Sequence, residues 1–245
     1  MKITMTILLG LCVSVCPLST NADDKPKQEL HELDVQVPAK LNYLLYLPEN
    51  YAEKESWPLL LFLHGSGERG QDRELLKKHG PPKLIAAGKE FPFIVATPQC
   101  PKDRWWREYE LVALLDDLSA RFNIDEDRVY VTGLSMGGFG TWSLAAYAPE
   151  RIAAIAPICG GGDRQRAKYF SHVPVWAFHG AKDTGVLPIR SEEMIEALKK
   201  EGAEPKLTIY PEAGHDAWTE TYENPELYDW LLSHKRQPPK EKSKK

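Results

Sequence analysis

The chain is short of cysteine, of long apolar runs and of net charge, and each shortage excludes something. Only 4 of its 245 residues are cysteine. Two of these, Cys12 and Cys16, fall in an apolar N-terminal segment, so no disulfide framework holds the fold together. No stretch reaches the ~20 apolar residues that a membrane-spanning helix needs. A formal net charge of −4 makes no electrostatic case for nucleic acid or for an anionic membrane surface. No close pair of histidines or cysteines has metal-ligand spacing, and neither a metal nor a cofactor is implied. Internal repeats and long low-complexity tracts are missing as well. What remains is ordinary soluble composition, 42% hydrophobic and 27% charged, in a length that suits one domain around one core.

The two ends read differently from the middle. Lys2 gives a short positive start, residues 3–15 are mostly apolar, and Ser19, Thr20, Asn21 and Ala22 suit cleavage after Ala22, so residues 1–22 read as a signal peptide. Acidic Asp23 and Asp24 follow, against a retained anchor, and Leu11 and Val15 precede the two cysteines where lipidation would want a small residue. The expected location is therefore periplasmic or secreted. Residues 23–28 read as a linker, 29–234 as the folded domain and 235–245 (KRQPPKEKSKK) as a basic, solvated tail.

Between these ends apolar runs alternate with helical patterns. Residues 31–37 and 41–47 alternate or run apolar around Pro38 and predict an antiparallel lead-in. Runs at 59–63 (LLLFL), 93–96, 129–131, 153–158 and 173–178 are apolar throughout, as central strands buried on both faces are; 206–210 alternates. Residues 111–122 carry Leu111, Leu114, Leu115, Leu118 and Phe122 at helical spacing. Ser191 is placed to cap a helix ending near Gly202, and a short last helix holds Tyr228, Trp230, Leu231 and Leu232. Strands alternating with helices predict an α/β fold with a mostly parallel central sheet flanked by helices.

The chemistry concentrates in residues 128–142, RVYVTGLSMGGFGTW. Gly133-Leu134-Ser135-Met136-Gly137 is a G-x-S-x-G pattern lying directly after an expected strand and before an expected helix. A sharp turn there presents Ser135 as a nucleophile at the sheet edge, and the helix that follows aims free N–H groups at it. An alkyl hydroxyl needs a base. Of the four histidines that follow, His215 sits in a loop after an alternating strand with Gly214 beside it. His172 and His234 lack that setting, and His179, before Gly180, reads as structural. The orienting acid belongs after the preceding strand, where Asp183 stands; Asp163 is the alternative, and Asp216 is too close to His215 in sequence. Oxyanion donors are expected from the N–H of Met136 and from the loop His64-Gly65-Ser66-Gly67-Glu68-Arg69-Gly70, with Ser66 favoured over Gly65.

HGSGERG, PQCP followed by Trp105 and Trp106, GLSMGGFGTW, PICGGG, FHGAKD and AGHDAW occur in that order. Together they resemble the bacterial exported esterases of the phospholipase/carboxylesterase and dienelactone-hydrolase branch of the α/β-hydrolases, relatives of which are labelled peptidases or feruloyl- and acetylxylan-esterase-like. The resemblance spans about residues 41–232. It implies the α/β-hydrolase fold, a carboxylic ester substrate and the site residues above. Dienelactone hydrolases proper carry a cysteine nucleophile; Ser135 stands there instead.

The surroundings narrow this expectation. Residues 160–172, where many such proteins insert a lid, are few and polar, so no large cap is expected and an open site suits short acyl groups or an acyl group carried on a polysaccharide. Trp105, Trp106 and Trp218 lie on loops near that edge. Trp106 and Trp218 are the candidates for substrate contact, while Trp142 and Trp176 read as core. Cys100 and Cys159 follow strands expected to have two others between them, ~14 Å apart at ~4.8 Å per strand, too far for a disulfide unless the loops fold together. The leading reading is an esterase acting on a small-molecule or polysaccharide-borne ester, short-chain or aromatic, through an acyl-enzyme. A peptidase on the same scaffold and a non-catalytic carbohydrate-binding module are the alternatives. Neither nucleic acid nor stable membrane insertion is expected.

Overall fold

A computed structural model describes residues 31–236; the segments expected to be a signal peptide and a linker, and most of the expected basic tail, lie outside the described residues. The chain divides into two compact units, Met1–Pro38 and Ala39–Lys245. In the first, residues 31–38 form no regular structure, and Leu33, Val35 and Val37 are exposed. The lead-in strand expected at residues 31–37 is therefore absent. Alternation makes a segment able to pair, but a strand also needs a neighbouring strand in register with it.

The second unit holds a seven-stranded sheet in the order β1-β3-β2-β4-β5-β6-β7. Its strands are β1 Asn42–Tyr46, β2 Trp57–Leu63, β3 Ile94–Gln99, β4 Ile124–Leu134, β5 Ala154–Ile158, β6 Trp176–Gly180 and β7 Lys206–Tyr210. Only β1 runs antiparallel, against β3. Helices α1 Gly80–Ala86, α2 Glu108–Arg121, α3 Met136–Tyr147, α4 Ala167–Phe170, α5 Ile189–Lys200, α6 Trp218–Glu223 and α7 Pro225–Leu232 complete it.

The unbroken apolar runs are explained by the two cores. Every residue of β2 is buried, and its side chains alternate between faces. Leu59, Leu61 and Leu63 join Leu111 and Leu115 of α2, Trp142 and Leu144 of α3 and Leu198 of α5. Leu60 and Phe62 join Phe93, Tyr130, Tyr222 of α6 and Leu231 of α7. Each such side chain contributes ~1.5–3 kcal/mol by leaving water, and this two-sided burial is what a parallel sheet requires. Two details differ from expectation. Trp176 is half-buried, its ring on Trp230 and its Nε1–H donated to Thr208. Helix α5 starts at Ile189, and Ser191 lies inside it, fully buried. Its hydroxyl is not spent on a cap because it is within reach of His179 and of the Gly160 carbonyl.

No cap domain interrupts the described residues. The interval between β5 and β6 holds one 3₁₀ turn and the four-residue α4. Cys100 and Cys159 are free and buried; β2 and β4 separate the strands they follow.

Candidate active site

All the candidate chemistry lies where parallel strands end. β4 runs to Leu134, and α3 starts at Met136, leaving Ser135 alone to turn the chain. It does so at φ 51° and ψ −115°, a conformation that non-glycine residues rarely adopt and that persists only when its surroundings enforce it. The enforcement is visible: Ser135 N–H donates to Ile158 O at 2.9 Å and Ser135 O accepts from Phe139 N–H at 3.0 Å. The turn also packs α3 hard against β2. A Cβ on Gly137 would lie 1.8 Å from the Leu63 carbonyl oxygen, so only glycine fits there.

His215 and Asp183 arrive from neighbouring strand ends. Asp183 follows β6 and His215 follows β7, and the two loops are laced together by Ala181 N–H to Tyr210 O and Lys182 N–H to Ala213 O, each 2.9 Å. They cross at Gly180, where a Cβ would sit 2.1 Å from the Gly214 oxygen. The result is a line of three side chains. His215 Nε2 is 2.8 Å from Ser135 Oγ, and His215 Nδ1 is 2.6 Å from Asp183 Oδ2. The other carboxylate oxygen, Oδ1, accepts the N–H groups of Gly185 and Val186, both at 2.9 Å. Asp183 is buried and His215 only partly so. Burial by itself would raise the Asp183 pKa, but the hydrogen bond from His215 and the Val186 and Gly185 amides outweigh it and hold the carboxyl below its usual range. A charged Asp183 accepts Nδ1–H, which leaves Nε2 free to receive a proton from Ser135.

The other candidates are elsewhere. Asp163 is exposed and caps the 3₁₀ turn after it by accepting Gln165 N–H at 2.9 Å. His234 packs on Trp230 far along the chain, and His172 lines a different cleft beside Pro174. His179, read from sequence as structural, is fully buried with Nε2 only 3.2 Å from Asp183 Oδ2. The single hint was its place four residues before Asp183.

On the opposite side of Ser135 the loop after β2 is held by His64. Its Nδ1–H donates to Gly65 O at 2.6 Å, and its Nε2 accepts Cys100 N–H at 3.0 Å. Burial lowers the His64 pKa to about 4, which keeps the ring neutral, as that pair of partners requires. Gln99 donates to Glu68 O and Asp72 O at 3.0 and 2.8 Å, and Gly70 N–H to Cys100 O at 2.9 Å, so the loop is anchored to the end of β3. Ser66 heads its 3₁₀ turn and Met136 heads α3, positions whose N–H groups have no acceptor inside the helix.

The tryptophans divide between the two sides. Trp106 donates Nε1–H to His64 O at 3.3 Å and sets its ring edge-on to His64 at 4.8 Å. With exposed Trp105, Phe139 and Trp142 it lines a cavity of about 260 Å³ whose other wall includes Arg166 and Arg190. Phe139 is four residues beyond Ser135, one turn or ~6 Å along α3. Trp218 stands on the other side, edge-on to His215 at 5.2 Å and to His79 at 5.6 Å.

Among the described residues one group, Cys159, His179 and Asp183, brings three ligand-type atoms within 4.8 Å of one another. Asp183 is already committed to His215, and burial pushes the Cys159 thiol up to about 12, so it stays protonated and is neither a ready metal ligand nor a nucleophile. Burial likewise pushes the Cys100 thiol up to about 11.

The sequence model of the dienelactone hydrolase family matches residues 103–230, and one described as "Putative esterase" matches residues 36–161. The chain is 31% identical over 150 residues to the bifunctional acetylxylan esterase/xylanase XynS20E of Neocallimastix patriciarum, a match covering 57% of this chain and 21% of that protein. It spans between 21% and 40% of the length of the first curated relatives it matches. A crystal structure of a thermostable esterase superposes with a TM-score of 0.70 at 31% identity, covering 80% of this chain and 60% of that one. Porphyromonas gingivalis dipeptidyl peptidase 4 superposes at 0.63 with 14% identity, covering 79% and 33%; that likeness is one of fold alone. Among the described residues no helix is long and apolar enough to cross a membrane.

Proposed function

The chain belongs to the dienelactone hydrolase family of α/β-hydrolase proteins, and we propose that within it this protein is a serine carboxylesterase working through an acyl-enzyme. One observation carries the reading: Ser135, held at positive φ on the elbow, lies 2.8 Å from His215 Nε2, whose other nitrogen lies 2.6 Å from a buried Asp183. On this reading Ser135 Oγ attacks the ester carbonyl carbon as its proton passes to His215. The Met136 and Ser66 amides bind the oxyanion, and Asp183 stabilises the imidazolium. The intermediate collapses, His215 returns the proton to the leaving alcohol, and water repeats the sequence to free the acid.

The substrate class proposed is short-chain or aromatic esters, carbohydrate-borne ones among them. The cavity with aromatic walls beside Phe139 lies open without a cap, which suits a short or aromatic acyl group and lets a bulky alcohol partner stay outside. Trp106 and Trp218 flank the site as the proposed substrate contacts. Export is proposed as well, on residues 1–22, together with a catalytic domain at 29–234 between the linker 23–28 and the tail 235–245; N-terminal sequencing of the mature protein decides the first boundary.

The experiment is hydrolysis of a panel by the wild-type chain and Ser135→Ala: p-nitrophenyl acetate, butyrate and laurate, methyl ferulate, acetylated xylan and a peptide amide. Turnover of short or aromatic esters that falls by more than about 10⁴-fold in the variant supports the proposal. Cleavage of the amide alone transfers the triad to a peptidase, and a folded protein that cuts nothing leaves a binding module.

A further inference from the structure

We propose that His179 is a positioning residue for the acid of the triad: its Nε2–H, bonded to Val186 O, lies against Asp183 Oδ2, the same oxygen that takes the Nδ1–H of His215. The proposal rests on the esterase reading for its kinetic consequences, but not for its geometry. His179 sits on β6 one residue before Gly180 and is fully buried. Its Nε2 faces the Val186 carbonyl at 2.8 Å and Asp183 Oδ2 at 3.2 Å. Both partners are acceptors only, so Nε2 must carry hydrogen; its hydrogen bond goes to Val186 O, and Asp183 Oδ2 lies beside it at ion-pair distance. Nδ1 faces Ser191 Oγ at 2.7 Å, and Ser191 Oγ is 3.1 Å from Gly160 O.

These contacts make a closed device. Val186 gives its N–H to Asp183 Oδ1 and takes the His179 hydrogen on its carbonyl, so the segment from Asp183 to Val186 is gripped at both ends. The carboxylate is then fixed from both oxygens, with Oδ1 on two backbone amides and Oδ2 between two imidazoles from different strands. Ser191, on α5, holds the far side of the second ring. This accounts for a buried serine inside a helix and a buried histidine on a strand, neither of which the esterase mechanism uses.

The electrostatic consequence has a sign. The titratable groups that face Asp183 are His215 from the loop after β7, His179 from β6 and Cys159 from the end of β5. The Cys159 thiol stays protonated and so adds no negative charge there; it and the two histidines surround the carboxylate. While His179 takes part of the charge on Oδ2, His215 is less basic than a carboxylate dedicated to it would make it. Removing the His179 donor therefore makes His215 more basic and also frees the carboxylate to rotate.

The first test needs no variant and no substrate. Ring-nitrogen NMR of the ¹⁵N-histidine-labelled wild-type chain reads where the hydrogens are. His179 is expected with hydrogen on Nε2; a ring protonated on Nδ1 alone overturns the proposal. The second compares His179→Phe, which fills the space without a donor, with His179→Gln, whose terminal amide reaches the position of Nε2. For the Phe variant, kcat on p-nitrophenyl acetate is expected to drop about ten- to hundred-fold with KM nearly unchanged. The acidic limb of its kcat/KM profile is expected to move up by about half a pH unit or more, and the low-field His215 Nδ1 proton to shift. The Gln variant should stay closer to wild type in all three. A Phe variant with the wild-type limb and the wild-type His215 resonance would show that His179 only packs. Should the wild-type chain hydrolyse no ester, the esterase reading falls while both NMR readouts still decide this one.

Discussion

Strand β2 is followed by His64-Gly65 and strand β6 ends in His179-Gly180, and both histidines are buried beside the candidate site. Their surroundings are opposite. His64 bonds only to backbone, donating from Nδ1 to Gly65 O and accepting at Nε2 from Cys100 N–H. It holds a loop whose amides are the proposed oxyanion donors. His179 turns Nε2 toward a carboxylate and a carbonyl and Nδ1 toward a hydroxyl. It lies against Asp183, the proposed orienting acid. The same dipeptide thus stabilises main chain on one flank of Ser135 and a charged side chain on the other. The Gly65 carbonyl beside it and Cys100 N–H from the end of β3 set the tautomer of His64, while Val186 from the loop after β6 and Ser191 from α5 face the ring of His179.

The flank after β6 should be the more sensitive of the two. In Asp183→Asn the Gly185 and Val186 amides keep the side-chain oxygen at the Oδ1 position, so the NH₂ group replaces Oδ2 and faces His215 Nδ1. His215 must then accept at Nδ1 and carry its hydrogen on Nε2, where it cannot take one from Ser135. A loss of about 10⁴-fold in kcat is expected; a loss below tenfold would mean that another group orients His215.

The flank after β2 acts through backbone, so its test removes an amide. Ser66 is the first residue of its 3₁₀ turn and Gly65 before it is extended, φ −77° and ψ −177°, which proline accepts on both counts. Ser66→Pro deletes the N–H with little disturbance, and kcat should fall about 10²- to 10³-fold. Wild-type kcat in a folded Ser66→Pro would hand the donor role to Gly65.

The smallest effect is on stability, and it sharpens the account of His64. Its folded pKa of about 4 lies below the ordinary 6.5. Above pH 6.5 both folded and unfolded chains are neutral there. Between 6.5 and 4 the unfolded chain takes up a proton that the folded one refuses, and stability drops as pH falls, by on the order of 3 kcal/mol in all. Urea midpoints across this window should decline less steeply in His64→Gln than in wild type; parallel declines would mean that His64 accepts a proton in the folded state. The carboxyl of Asp183, held low, adds its own loss further down, as pH falls through its folded pKa.

Much of this arrangement was legible before any coordinates. The G-x-S-x-G turn is a local object, because three glycine-permitted close approaches and a strand-to-helix reversal fall within a few residues of Ser135. Asp183 and His215 were legible through order along the chain, since successive parallel strands deliver successive loops to one edge. The alternation at residues 31–37 misled, because pairing needs a partner that alternation does not supply. Ser191 misled as well: a serine near a helix start resembles a cap whether or not its hydroxyl has a tertiary partner. His179 was passed over because a buried histidine on a strand carries no local mark of what lies across from it.

By itself, then, the sequence determined the kind of fold, through apolar runs that only two-sided burial explains, and singled out the proposed nucleophile, through a turn that few residue patterns permit. Only the tertiary structure decided which imidazole nitrogens carry hydrogen, how one carboxylate is divided between two histidines, and which serine holds the second of them. Those choices depend on donors and acceptors brought within 2.6–3.2 Å from three different strand ends and a helix, and hydrogen-bond geometry at that range is not encoded in any one segment of chain.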